Sequence, residues 1–96
     1  MPTSQSTIDY LTDQFSFLPN FHLKKMFGEY GIYNGDKYFG LICDEKLFFK
    51  STKELVAKIG DDGLRAYPGS KNSLHIPEEI VEDKDRLEKL TLEYLR

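Results

Sequence analysis

Asn34-Gly35 interrupts a stretch in which strand-forming residues, five of them aromatic, alternate with polar residues and glycine, from LKKMFGEYGIY before it to DKYFGLIC after it. Gly lacks a Cβ and Asn tolerates the left-handed region, so this dipeptide supplies the positive φ that two-residue hairpin turns require. It predicts two antiparallel strands meeting at residues 34–35, and so commits the middle of the chain to sheet. Asp44-Glu45-Lys46 is a short polar connection to a further strand, LFFKS from Leu47, which completes a three-stranded meander.

Helices are expected on either side. Ser6 offers a hydroxyl N-cap with Asp9 three residues on, and Ile8, Leu11, Phe15 and Leu18 follow at helical spacing, predicting a helix over residues 7–17 that Pro19 ends. Ser51 and Glu54 read as a capping box for a second helix closed by Gly60. Two short strands, residues 64–67 and 73–76, are expected to form a smaller hairpin around the turn formers at 68–72. Pro77 suits the first position of a helical turn. Leu87, Leu90, Tyr94 and Leu95 share one face of a last helix, with Asp83 and Asp85 at its positive end. The expected fold is α+β and two-layered, in the order α-β(3)-α-β(2)-α, with the helices on one face of an antiparallel sheet. Ninety-six residues suit a single domain, 1–96, and 40% apolar content suffices for one core.

Charge and cysteine content narrow the partners. With 13 basic against 16 acidic residues the chain carries a formal −3, without the basic excess that phosphate binding draws on, so direct nucleic-acid binding is not expected. One cysteine, Cys43, rules out an internal disulfide and fits a reducing, cytoplasmic setting. No apolar run approaches the ~20 residues of a membrane span.

The glycines at 28, 31, 35 and 40 match neither dinucleotide nor P-loop spacing. His22 and His75 have no acid at ligand spacing, and Cys43 beside Asp44 is not primed as a nucleophile. No catalytic, cofactor-binding or metal-binding residues are assigned, and no cofactor is expected. The aromatic surplus is what stands out. Strict alternation puts Tyr30 and Ile32 on one face with Glu29, Gly31 and Tyr33 on the other, and separates Tyr38 and Ile42 from Phe39, Leu41 and Cys43. Phe48 lies between inward-pointing Leu47 and Phe49 and should point outward. Tyr30, Tyr33, Tyr38 and Phe48 are therefore the candidate partner-binding residues, through an aromatic sheet face or an edge strand open to a second copy or another protein.

Lys25-Met26-Phe27-Gly28, Gly31-Ile32-Tyr33, Gly35, Phe39, Asp44, Leu47-Phe48-Phe49-Lys50 and the later Pro77-Glu78-Glu79 resemble the signature of the TfoX N-terminal domain family. The resemblance covers about four fifths of the chain. It implies an α+β, secretion-chaperone-like domain of the order given above, in which Lys25, Met26, Phe27, Gly28, Gly31, Tyr33 and Gly35 are mainly structural. Glu29, where many members carry a second glycine, departs from the pattern. Members with a second, C-terminal domain resemble regulators of natural competence that act with the cyclic-AMP receptor protein; here a stand-alone first domain is expected. The function expected is a non-enzymatic regulatory or interaction module that self-associates, as a homodimer, or binds another protein. The alternative is a small-molecule binding domain, with a groove beside Tyr30, Tyr33 and Tyr38, or a minor enzyme of unknown reaction.

Overall fold

The computed structural model describes residues 3–26, 29–66 and 72–96. Its elements are α1 (Gln5–Gln14), β1 (Phe21–Met26), β2 (Glu29–Asn34), β3 (Lys37–Cys43), β4 (Lys46–Lys50), α2 (Lys53–Ile59), β5 (Ser73–His75), α3 (Glu78–Val81) and α4 (Lys84–Tyr94). The strands form one antiparallel sheet in sequence order, β1-β2-β3-β4-β5. This is the expected α+β class, with five strands divided four and one around α2 rather than three and two.

Two local differences account for that division. The run leading up to Asn34 is a hairpin in itself, paired from Phe21↔Asn34 to Met26↔Glu29. Alternation continues on both arms of a hairpin, so the pattern alone does not mark where the chain reverses; Phe27 and Gly28 lie outside the described residues. Residues 64–66 are not strand, and β5 pairs with β4 (Phe48↔His75, Phe49↔Leu74) instead of closing a second hairpin. The turn formers at 68–71 also lie outside the described residues.

The four helices of the described residues cover one sheet face. Ile8, Leu11 and Phe15 of α1 and its C-terminal turn, Leu55 of α2, Ile80 and Val81 of α3, and Leu87 and Leu90 of α4 share a core with Ile32, Phe39, Ile42, Leu47, Phe49 and Leu74. Phe15 is its aromatic centre, stacked on Phe21 at 4.8 Å and edge-on to Phe39 at 6.1 Å. Phe39 reaches this side through a bulge: the register passes from Ile32↔Gly40 to Tyr33↔Tyr38 and leaves Phe39 as the extra residue. Phe39 thus joins Ile42 inside and Tyr38 turns outward, the reverse of strict alternation. Next to the bulge, Gly40 opposes Phe49, and a Cβ there would fall 2.3 Å from the Phe48 carbonyl oxygen.

The turns depart from their sequence cues by single residues. The β2–β3 loop is Gly35-Asp36, closed by Asn34↔Lys37, with Gly35 at φ 64°; glycine in the first central position is the type II′ pattern. In the β3–β4 turn Asp44 (φ 51°) and Glu45 (φ 66°) both take the left-handed region without a glycine. The Glu45 carboxylate is held in compensation, accepting hydrogen bonds from the Ser4 amide and the hydroxyls of Ser4 and Thr7 at the start of α1. Ser4, not Ser6, caps α1, because residues 5 and 6 already lie in the helix. Likewise Thr52, not Ser51, caps α2 through the Leu55 amide, and Pro77 stands just before α3 rather than in its first turn. Asp83 caps α4 through the Arg86 amide.

The second sheet face is partly covered as well. Leu41 and Phe48 pack with Ala66 from the α2–β5 connection. That connection is pinned by the Cys43 thiol donating to the Ala66 carbonyl (3.0 Å), the Ala66 amide donating to Ser73 Oγ (3.2 Å), and Asp62 against His75 (2.7 Å). Phe48 does point away from the helices, but it is only 1% exposed. It is a second-core residue, not part of an open surface.

Candidate interaction surface on the sheet

The bulge at Phe39 builds an aromatic row across three strands. His22, Tyr33 and Tyr38 occupy facing positions, His22↔Tyr33 in β1–β2 and Tyr33↔Tyr38 in β2–β3. The His22 and Tyr33 rings stack at 5.1 Å and 10°, and Tyr33 meets Tyr38 at 5.5 Å and 60°. Lys50 Nζ lies 5.9 Å from the centre of the Tyr38 ring, within cation–π reach. His22 is exposed and both tyrosines are half-buried, so the row presents ring faces with wet edges.

The row is anchored from the helix side. The Tyr94 hydroxyl donates to the Lys50 carbonyl at 2.7 Å, tying the end of α4 to the end of β4. Burial, and secondarily the nearby Tyr38, pushes the Tyr94 phenol up to about 12. It therefore stays neutral and able to donate throughout the physiological range.

β1, which carries His22, is an edge of the sheet among the described residues, since it heads the strand order and pairs there with β2 alone. The Gly35 amide donates to the Asn20 carbonyl, and hydrogen-bonded pairs alternate along an antiparallel ladder, so His22 and Lys24 turn their backbone groups toward β2. Leu23 and Lys25 then direct theirs away from the sheet. Lys24 and Lys25 are both exposed, one on each face of this strand.

Elsewhere the chemistry is less concentrated. A cleft of about 360 Å³ separates α2 from α4, lined by Thr52, Leu55, Lys58, Leu90, Glu93 and Tyr94 and crossed by the Lys58–Glu93 ion pair. Burial, then Glu29 and Asp44, pushes the Cys43 thiol up and away from a reactive thiolate. Among the described residues no group of three His, Cys, Asp or Glu side chains is placed to hold a metal ion, and no helix is long and apolar enough to cross a membrane.

The family model of the TfoX N-terminal domain matches residues 13–93. The chain belongs to the TfoX N-terminal domain family. No curated protein matches it significantly. The match runs from the last two residues of α1 into the end of α4, so this TfoX N-terminal domain includes the whole sheet and the aromatic row.

The structure separates the residues that the sequence grouped. Tyr33 and Tyr38 come together, whereas Tyr30 lies on the opposite, helix-covered face against the main core, so no groove joins the three. Phe48 is buried, clustered with Leu41 and Ala66 and beside the His75 ring. Among the motif positions, Gly31 is buried in β2 between Lys24 and Leu41, Gly35 makes the turn, and Lys25 is exposed on the edge strand; Met26 ends β1, and Phe27 and Gly28 lie outside the described residues. His22 and Lys50 are what sequence reasoning missed. Placing His22 opposite Tyr33 requires knowing that the chain reverses after Met26, and Gly28 is the one residue hinting at it.

Proposed function

We propose that this domain is a non-enzymatic regulatory module of the competence-regulator type, which works by binding another protein through the outer sheet face. The observation that carries this reading is the His22–Tyr33–Tyr38 row with Lys50 over its end. Aromatic rings held by neighbouring strands give a large contact area at little entropic cost, and tyrosine is enriched at protein interfaces for that reason. Membership of the TfoX N-terminal domain family supports a regulatory role.

The test uses the row directly. Tyr33→Ser and Tyr38→Ser, singly and together, should leave the circular dichroism spectrum unchanged and abolish co-purification of partners that the unmodified domain retains. Lys89→Ser, on the exposed side of α4, is the control. Equal retention of the same partners by the double-tyrosine variant and the control would refute the assignment of this face.

A small-molecule role has one observation in its favour, the cleft between α2 and α4, whose size falls at the lower end of ordinary ligand sites. A ligand bound there would be lost with Leu90→Trp and unaffected by the tyrosine variants.

A further inference from the structure

The edge of β1 combines three properties that the aromatic row alone does not need. Leu23 and Lys25 point backbone donors and acceptors out of the sheet, which is the template for adding another strand. Two consecutive lysines project to opposite faces of that edge, and among the described residues neither ammonium pairs with a carboxylate. They stand out against a chain with a formal charge of −3. The exposed His22 ring, two residues from Lys24 on the same face, extends the edge into the aromatic row.

We propose that β1 takes up an extended, acidic segment of a partner protein as an additional strand. The segment would bond the outward backbone groups of Leu23 and Lys25 and place carboxylates against Lys24 on one face and Lys25 on the other. This rests on the protein-binding role proposed above and specifies the partner's chemistry. Charge decides between occupants. Two copies joined antiparallel with their basic pairs in register, Leu23 bonded to Lys25, would set Lys24 of one directly against Lys24 of the other, and like charges directly opposite are destabilising in a sheet. An acidic strand meets the same edge with attraction on both faces. The ordinary explanation of edge lysines, that they merely deter aggregation, makes the opposite forecast: no strand should bind at all.

The experiment uses two blocked peptides of about six residues, one alternating Glu with Val and one alternating Lys with Val, matched to the length of a common strand. Binding is followed by titration, and amide hydrogen exchange is measured residue by residue on the full chain. The Glu-Val peptide should bind, slow exchange at Leu23 and Lys25, and weaken with added salt; the Lys-Val peptide should not bind. Lys24→Glu with Lys25→Glu should weaken the Glu-Val peptide by about tenfold or more. Because exchange is read on the unmodified protein, the outcome does not depend on the variant folding. Absence of binding, equal binding of both peptides, or protection away from β1 would overturn the proposal. So would a concentration-dependent mass with the same amides protected and no peptide present, which would make the occupant a second copy. If the lysine reversals leave co-purified partners in place while Tyr33→Ser with Tyr38→Ser removes them, the strand-addition proposal fails and the interaction reading stands; if neither set removes them, both fail.

Discussion

Replacing Gly40 by Ala tests the geometry that creates the aromatic row. The residue sits beside the bulge and opposite Phe49, and its added Cβ would lie 2.3 Å from the Phe48 carbonyl oxygen, 3.1 Å from the Phe49 Cα and 3.1 Å from Ile32 Cδ1. A carbon and a carbonyl oxygen normally stay ~3.3 Å or more apart, so the closest contact is violated by about 1 Å. The obstructing atoms are mostly backbone of a central strand pair, which has no rotamer to change. Overpacking a rigid core costs about 1–3 kcal/mol, and these contacts place Gly40→Ala near the top, at about 3 kcal/mol. For a domain of this size about 1 kcal/mol moves the melting temperature by about 4–8 °C, so a fall of about 12–24 °C is expected. Gly35→Ala is the matched control: beyond its chain neighbours no atom of the described residues lies within 4 Å of its Cβ, and φ 64° alone should cost about 1 kcal/mol. Thermal and urea unfolding, followed by circular dichroism, report both. If Gly40→Ala lost no more stability than Gly35→Ala at an unchanged urea slope, the close approach of β3 and β4 would be wrong, and with it the register that aligns Tyr33 with Tyr38.

Four further outcomes are expected. Phe48→Ala should cost about 3–5 kcal/mol in urea unfolding, because the ring is 1% exposed; a surface contact residue would cost almost nothing. Thr91→Val should be neutral or raise stability by about 1 kcal/mol, since Thr91 Oγ1 is buried without a hydrogen-bond partner among the described residues. Glu45→Gln should lower the melting temperature at neutral pH. The Thr7 hydroxyl, with the Ser4 amide, holds the Glu45 carboxyl below its usual range, so its stabilisation is present above the unfolded-state pKa and is lost as pH falls through the depressed folded one; the two proteins should converge in acid. Tyr94 works in the opposite direction. Its pKa of about 12 exceeds the unfolded value, so stability should decline as pH rises from about 10 towards 12, and Tyr94→Phe should remove that part of the alkaline loss in a series of pH melts.

Much of the fold was legible because local signals act over a few residues. The turn glycine at 35, the LFFK strand, the helical spacing of Ile8, Leu11 and Phe15, and the closing Gly60 all appear where the physics of single elements puts them. Caps were legible only to within a residue or two, since neighbouring hydroxyls such as Ser4 and Ser6, or Ser51 and Thr52, are chemically equivalent in sequence. Which one caps depends on where the chain enters the helix. For α1 that entry is fixed in part by Glu45, about forty residues away.

The candidate site was only half legible for a related reason. Composition and alternation by themselves determined that the chain would make an antiparallel sheet with more aromatic residues than one helix-covered face needs, and that some of them would lie on the other side. Which ones depended on two facts of tertiary structure. One extra residue in β3 exchanged the faces of Tyr38 and Phe39, and the α2–β5 connection laid Ala66 over Phe48. A period of two has no memory of an inserted residue, and burial of an outward side chain is settled by whichever distant segment comes to rest on it. The tertiary structure therefore left Tyr33 and Tyr38, joined by His22, as an aromatic row on the outer sheet face of this TfoX N-terminal domain.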